Sequence, residues 1–142
     1  MDHIVYVDFK EKELDKLIRG EKSMIIRGAT GRKLPYGRVF QNDILYFINN
    51  NGEGLVKAIC NVKEVYNSDK MTTEESIELV TSNNNKLNLS NKQFKRWAGK
   101  RYIVLVEVDN IKKIESFEID KSNYGNMDDW LLVEDIYNVK IR

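Results

Sequence analysis

The sequence predicts a single α+β domain, mostly β, built as a small and partly closed β-barrel with two to three short helices inserted. Three observations carry that expectation. The chain has 142 residues, the length of one domain. Its apolar residues fall into six or seven short β-branched runs. Turn residues and helix-capping serines and threonines separate those runs.

The elements follow in order. His3–Phe9 is a first strand, with Ile4, Val5 and Val7 supplying β-branched positions. Asp8 with Glu11 forms a capping box for a short helix through Leu14, Leu17 and Ile18, and Gly20 stops it. Ser23–Arg27 is a second strand, and Gly28–Gly37 a loop rich in turn residues. Asp43–Ile48 and Leu55–Val65 are two strands joined by the Gly-containing connection Asn49–Gly54. Thr72 or Thr73 caps a helix through Ile77, Leu79 and Val80 that ends in Ser82–Asn85. Ser90 caps another from Asn91 to Ala98, closed by Gly99, with Phe94 and Trp97 on one face. Arg101–Val108 is the clearest strand, Ile111–Ile119 another, and Val133–Ile141 contains the last.

Composition narrows the function classes. At 42% apolar and 32% charged, with a mean hydropathy of −0.51, this is ordinary globular composition. No apolar run reaches the roughly 18 residues a membrane span needs, and Met1–Ile4 lacks a signal-peptide pattern, so a cytoplasmic protein without a membrane partner is expected. A single cysteine (Cys60) and a single histidine (His3) argue against a disulfide framework, a zinc site or a Ser-His-Asp triad, and no cofactor is expected. Cys60 reads as a buried small hydrophobe, and His3 as structural or exposed, with no catalytic role.

The net charge of +1 conceals an uneven distribution. Arg19–Arg38 holds six basic residues against one acid, and Lys92–Arg101 holds five and no acid. Those thirty residues carry +10 and the remaining 112 carry −9. Two basic segments interleaved with Tyr36, Phe94, Trp97 and Tyr102 are the footprint of a polyanion partner such as RNA. The plainer reading of each segment is a solvated basic face. A third is a protein–protein adaptor, in which the basic face meets an acidic one.

Individual motifs are weaker. Gly28-Ala-Thr-Gly31-Arg-Lys33 has two residues between its glycines where a Walker A loop needs four, so it is no P-loop, although its backbone can still face a phosphate. Gly52-Glu-Gly54 is a hairpin turn. Asp128, Asp129, Glu134 and Asp135 form an acidic cluster without EF-hand spacing, and no metal site is assigned. Trp97, Tyr36, Tyr124 and Trp130 are candidates to stack on bases. Trp97 reads better as the anchor of its helix, and Tyr36, between Pro35 and Gly37, better as a ligand contact. Ser122–Trp130 has the composition of a cleft-wall loop.

Gly20-Glu-Lys22-Ser-Met-Ile-Ile-Arg27 resembles the Gly-x-Lys-x-x-Glu-x-Arg signature of the ASCH domains, a branch of the PUA-like superfamily. Gly20, Lys22 and Arg27 match, while Ile25 stands at the Glu position. Gly37–Phe47 resembles the family's Gly-Asp strand, with Asn42 in place of the glycine, and Arg101–Glu107 suits a barrel strand. The resemblance implies a PUA-like, ASCH-type barrel whose groove binds RNA or a modified nucleotide. Lys22 and Arg27, five apart, would face opposite sides of a regular strand, so one can reach the cleft while the other anchors the barrel or meets a phosphate. Expected contacts to nucleic acid are Lys22, Arg27, Arg32, Lys33, Tyr36, Arg38, Lys95, Arg96 and Lys100.

The resemblance also implies a rival function. Some members of the family hydrolyse acylated nucleosides, with the signature lysine beside a hydroxyl three positions on and a carboxylate from another strand, and others are linked to RNA cleavage. Here the hydroxyl position is Ile25. A hydrolase would have to use Lys22 with Thr30 and a barrel glutamate, Glu64 or Glu107. Binding is therefore the leading expectation.

Overall fold

The computed structural model describes residues 1–124 and 129–141. One mixed sheet holds seven strands: β1 (Asp2–Val7), β2 (Met24–Ala29), β3 (Ile44–Asn49), β4 (Leu55–Asn67), β5 (Tyr102–Ile119), β6 (Trp130–Glu134) and β7 (Lys140–Ile141). The order is β2-β5-β4-β3-β1-β6, with β7 added to β5. Among the described residues only the β1–β3 pairing is parallel. The sheet curls into a half-barrel because the long β4 and β5 bend at successive bulges between Val56 and Glu64, each sharpening the local twist.

Alternation builds the interior. Val5 and Val7, Ile25, Leu45 and Phe47, Ala58, Cys60 and Val62, and Val104, Val106 and Val108 point inward and are buried with Trp130. The intervening residues of β2 and β5 are equally apolar, because helices cover their outer face. Met24, Ile26, Ile103 and Leu105 pack there against Val80, Leu87 and Trp97. Those side chains belong to α2 (Thr73–Ser82), α3 (Asn84–Leu87) and α4 (Asn91–Trp97). A third cluster joins Ile4, Ile48, Val56, Leu131 and Val133 to the 3-10 turn Ile136–Asn138. Among the described residues no helix is long and apolar enough to cross a membrane.

The helix starts follow the sequence closely. Thr72 with Glu75 and Ser90 with Gln93 are complete capping boxes. At α1 (Glu13–Ile18) the box is shifted: Asp8 Oδ1 accepts the Glu11 N–H at 3.1 Å, but Glu13 Oε1, not Glu11, accepts the Asp8 N–H, at 2.8 Å. Lys12 takes a left-handed conformation between them, so the helix starts only at Glu13. Gly20 ends that turn with φ +76°, as a glycine is needed there.

One difference from expectation has a local cause. The two strands expected over 101–119 are one strand of 18 residues. Asp109-Asn110 looks like a turn, yet Asn110 adopts φ +53° inside the strand and bends it instead of ending it. His3 takes the structural one of its two expected places. It is fully buried, its Nε2 lies 2.8 Å from Asp43 Oδ2, and its Nδ1 accepts the Trp130 indole N–H at 3.0 Å. An indole only donates, so this pairing fixes His3 as the neutral tautomer with its proton on Nε2.

Candidate functional site

A cleft of about 280 Å³ opens between the end of β2, the loop after it, and α4. Arg27, Lys33, Arg96 and Lys100 bring four cations to it, Tyr36, Trp97 and Tyr102 bring three rings, and Asp129 is the carboxylate on its wall. A second hollow of about 210 Å³ continues from it past Arg27, Arg96, Trp97 and Asp129 towards Tyr6, Asp8, Asn50 and Gln93. Together they reach the low end of the roughly 300–1,000 Å³ usual for small-molecule sites. The fold thus brings together two basic segments some sixty residues apart in sequence.

Arg27 forms the floor. It shares the inward face of β2 with Ile25, but it sits at the barrel's open end, where its guanidinium bridges to β1. Nη2 donates to the Tyr6 carbonyl at 2.6 Å and Nη1 to the Ile26 carbonyl at 2.7 Å. The indoles of Trp97 and Trp130 lie 5.8 Å and 5.6 Å from its central carbon, within reach of cation–π attraction. Asp129 Oδ2 stands 3.3 Å from Nε, and 3.7 Å from Arg96 Nη2.

The rim is more exposed. Tyr36 is half-buried, donates its hydroxyl to the Ser68 carbonyl at 2.5 Å and meets Tyr102 edge-on at 5.8 Å. The exposed Arg32 lies over both rings, at 5.7 Å and 5.5 Å. Arg96 lies 4.4 Å over the Trp97 ring. Trp97 therefore serves twice, as a buried member of the helix-covered cluster and as an edge of the cleft.

Several expected contacts are elsewhere. Lys22 is only 1% exposed and does not line the cleft. Its Nζ donates to the Leu87 carbonyl at 2.5 Å and lies 3.4 Å from Glu13 Oε2, so it ties α1 to α3. Burial pushes its ammonium below the usual lysine range, and the Glu13 carboxylate pulls it part of the way back. The division expected between the two signature cations is thus resolved: Arg27 reaches the cleft, and Lys22 is the anchor. Arg38 and Lys95 are exposed but do not line the cleft.

The hydrolase set is not assembled. Lys22 is sealed against Glu13, Thr30 is exposed, and Glu64 is exposed beside two other hollows. Glu107 pairs with Lys86 at 3.0 Å. Of the aromatic candidates, Trp130 is a core residue bonded to His3, and Tyr124 packs against the third cluster. The acidic cluster also separates. Asp129 faces Arg27, Asp135 caps the 3-10 turn, Asp128 lies outside the described residues, and no metal-ligand grouping occurs among the described ones. Within Ser122–Trp130, expected as a cleft wall, Asp129 does line both hollows; the sequence reading missed Gln93 and Asn50 in the second one.

No family model matches the chain, and no curated protein matches its sequence. Solved structures do match its fold. ASCH from Zymomonas mobilis superposes over 96% of this chain and 92% of its own, with a TM-score of 0.68 at 12% identity. A point variant of that protein gives 0.67 over 92% of this chain and 89% of its own, at 12% identity. A second gives 0.62 over 82% and 73%, at 11% identity. The chain has the ASCH fold. The similarity extends over 96% of the chain in one of these structures, so it takes in the half-barrel and its helices together, and the cleft floored by Arg27 is a feature of this chain's own side chains on that fold.

Proposed function

We propose that this ASCH domain binds a nucleotide, free or as an exposed unit of RNA, in the cleft floored by Arg27, and that it does so in the cytoplasm. The observation that carries the reading is the convergence of Arg27, Lys33, Arg96 and Lys100 with Trp97, Tyr36 and Tyr102 around one hollow. Cations supply a sequence-independent attraction to phosphate, and aromatic edges supply a surface for a base. The shape supports a single nucleotide unit over an extended duplex, because the cleft is a hollow and not a flat basic face.

The test is binding of a mixed RNA pool and of nucleoside monophosphates at two salt concentrations. Binding should weaken as salt rises. Arg96→Ala/Lys100→Ala should weaken it at least about tenfold, since charge-assisted hydrogen bonds contribute about 1.5–3 kcal/mol each. The surface control Arg38→Ala/Lys63→Ala should bind as the wild type does. Absence of binding by the wild type at low salt, or equal loss in both double variants, would overturn the proposal. In that event, association with an acidic protein surface is the reading to pursue.

A further inference from the structure

The cleft floor already holds an anion. Arg27 is 8% exposed, and its two Nη atoms are committed to main-chain carbonyls. Its Nε is different: it is buried, and among the described residues it donates no hydrogen bond. The Asp129 carboxylate lies beside it at 3.3 Å, close enough to pair electrostatically but not aligned to accept the proton. The same oxygen lies 3.7 Å from Arg96 Nη2.

Asp129 combines a fixed backbone with a releasable side chain. Its carbonyl accepts the Tyr6 N–H at 2.9 Å, which pins it at the start of β6. Its carboxylate is 42% exposed and stands where the two hollows meet. As it stands, that carboxylate hydrogen-bonds neither cation: one oxygen lies near both, misaligned to Arg27 Nε and too far from Arg96. A phosphate monoester carries three acceptor oxygens and approaches from the open side, so it can bond both.

We propose that Asp129 is a built-in competitor for the anion subsite. In the empty cleft its carboxylate neutralises Arg27 and Arg96; an incoming nucleotide phosphate displaces it, takes the Arg27 Nε–H and pairs with Arg96. The inference rests on the nucleotide reading of the cleft. It adds that the phosphate seats on the floor, and that the domain's affinity is held down by its own side chain. A nucleotide would then exchange rapidly.

The experiment is calorimetric titration of the full chain with uridine and adenosine 5′-monophosphates, the matching nucleosides and inorganic phosphate. Wild type, Asp129→Asn and Asp129→Ala are compared, with thermal melts to confirm folding. Both variants should bind the monophosphates and inorganic phosphate about five- to tenfold tighter, from loss of a partly exposed ion pair. The nucleosides should be unaffected. Weaker or unchanged phosphate binding in both variants, with wild-type binding intact, overturns the competitor while leaving the nucleotide reading standing. An equal gain for nucleosides also overturns it. Binding by the variants alone supports it, and binding by none of the three proteins removes both proposals.

Discussion

Replacing Lys22 by methionine tests whether the signature lysine is structural in this chain. Its ammonium is sealed under α3, with Glu13 Oε2 at 3.4 Å and the Leu87 carbonyl at 2.5 Å. Methionine matches the length of the side chain but strands the Glu13 carboxylate, itself 6% exposed, with the Asp8 N–H as its remaining partner. Breaking a buried ion pair from one side costs about 3–5 kcal/mol. For a domain of this size that lowers the melting temperature by roughly 6–20 °C, at about 2–4 °C per kcal/mol. Adding Glu13→Gln removes the stranded charge while keeping an oxygen for the Asp8 N–H. The double variant should therefore regain about half of the loss or more, and the non-additivity measures the pair. The assay is urea denaturation of the wild type, both single variants and the double variant, with nucleotide titration alongside. Affinity should stay within about twofold, because Lys22 does not line the cleft. A Lys22→Met protein that melts like the wild type but no longer binds would refute the assignment of Lys22 as an anchor.

Three further outcomes follow from the same contacts. Burial holds the His3 imidazole below the ordinary histidine range, so the unfolded chain takes up its proton first. The stability it secures is complete above about pH 6.5 and falls as pH drops, by about 1.4 kcal/mol per unit of separation between the two pKa values. Urea midpoints should decline more steeply below pH 6.5 in the wild type than in His3→Gln, and parallel declines would exclude the mechanism. At Gly28 a methyl group would meet Lys100 Cβ at 3.1 Å, the Tyr102 carbonyl at 3.2 Å and Ile103 Cγ1 at 3.3 Å. Gly28→Ala should therefore cost about 1–3 kcal/mol and weaken nucleotide binding by shifting Lys100, whereas a wild-type melt would show that β5 yields freely. Cys60 is buried and its thiol is pushed upward by that burial, so a thiol reagent should modify it only at the rate of unfolding. Rapid labelling of the native protein would contradict its place in the core.

What could be read in advance was local or periodic. Thr72 and Ser90 announce their helices because a capping box is written within four residues. The alternation of Val104, Val106 and Val108 announces a strand whatever it packs against. What escaped depended on partners distant in sequence. Lys22 stood out as a signature residue, but whether it faced the cleft or anchored the barrel could be decided only by Glu13 and the Leu87 carbonyl around it. His3 and Trp130 are 127 positions apart, and their bond has no local signature. Arg96, Lys100, Lys33 and Tyr36 were selected for charge and ring chemistry, and the fold gathers them; Arg38 and Lys95 passed the same filter and do not line the cleft. Asp129 fell within the expected cleft wall, but its pairing with Arg27 and Arg96 was not legible, since a run of acids reads as solvated surface. The clue available was that two cation-rich segments invite an internal counter-charge.

The placement of β1 bears on the order of events during synthesis. Although it precedes the other strands in the sequence, it lies between β3 and β6, and its partners are Ile44–Asn49 on one side and Trp130–Glu134 on the other. A nascent chain therefore carries Ile4, Val5 and Val7 with one flank unpaired until residue 134 has left the ribosome. Closure is a late, chain-wide event, and long-range pairing of this kind is intrinsically slow. The cleft inherits that timing, because Asp129 enters it beside β6 and Arg27 spans to Tyr6 at its floor. A chain cut before β6 would therefore lack the Asp129 wall of the cleft and leave one flank of β1 unpaired.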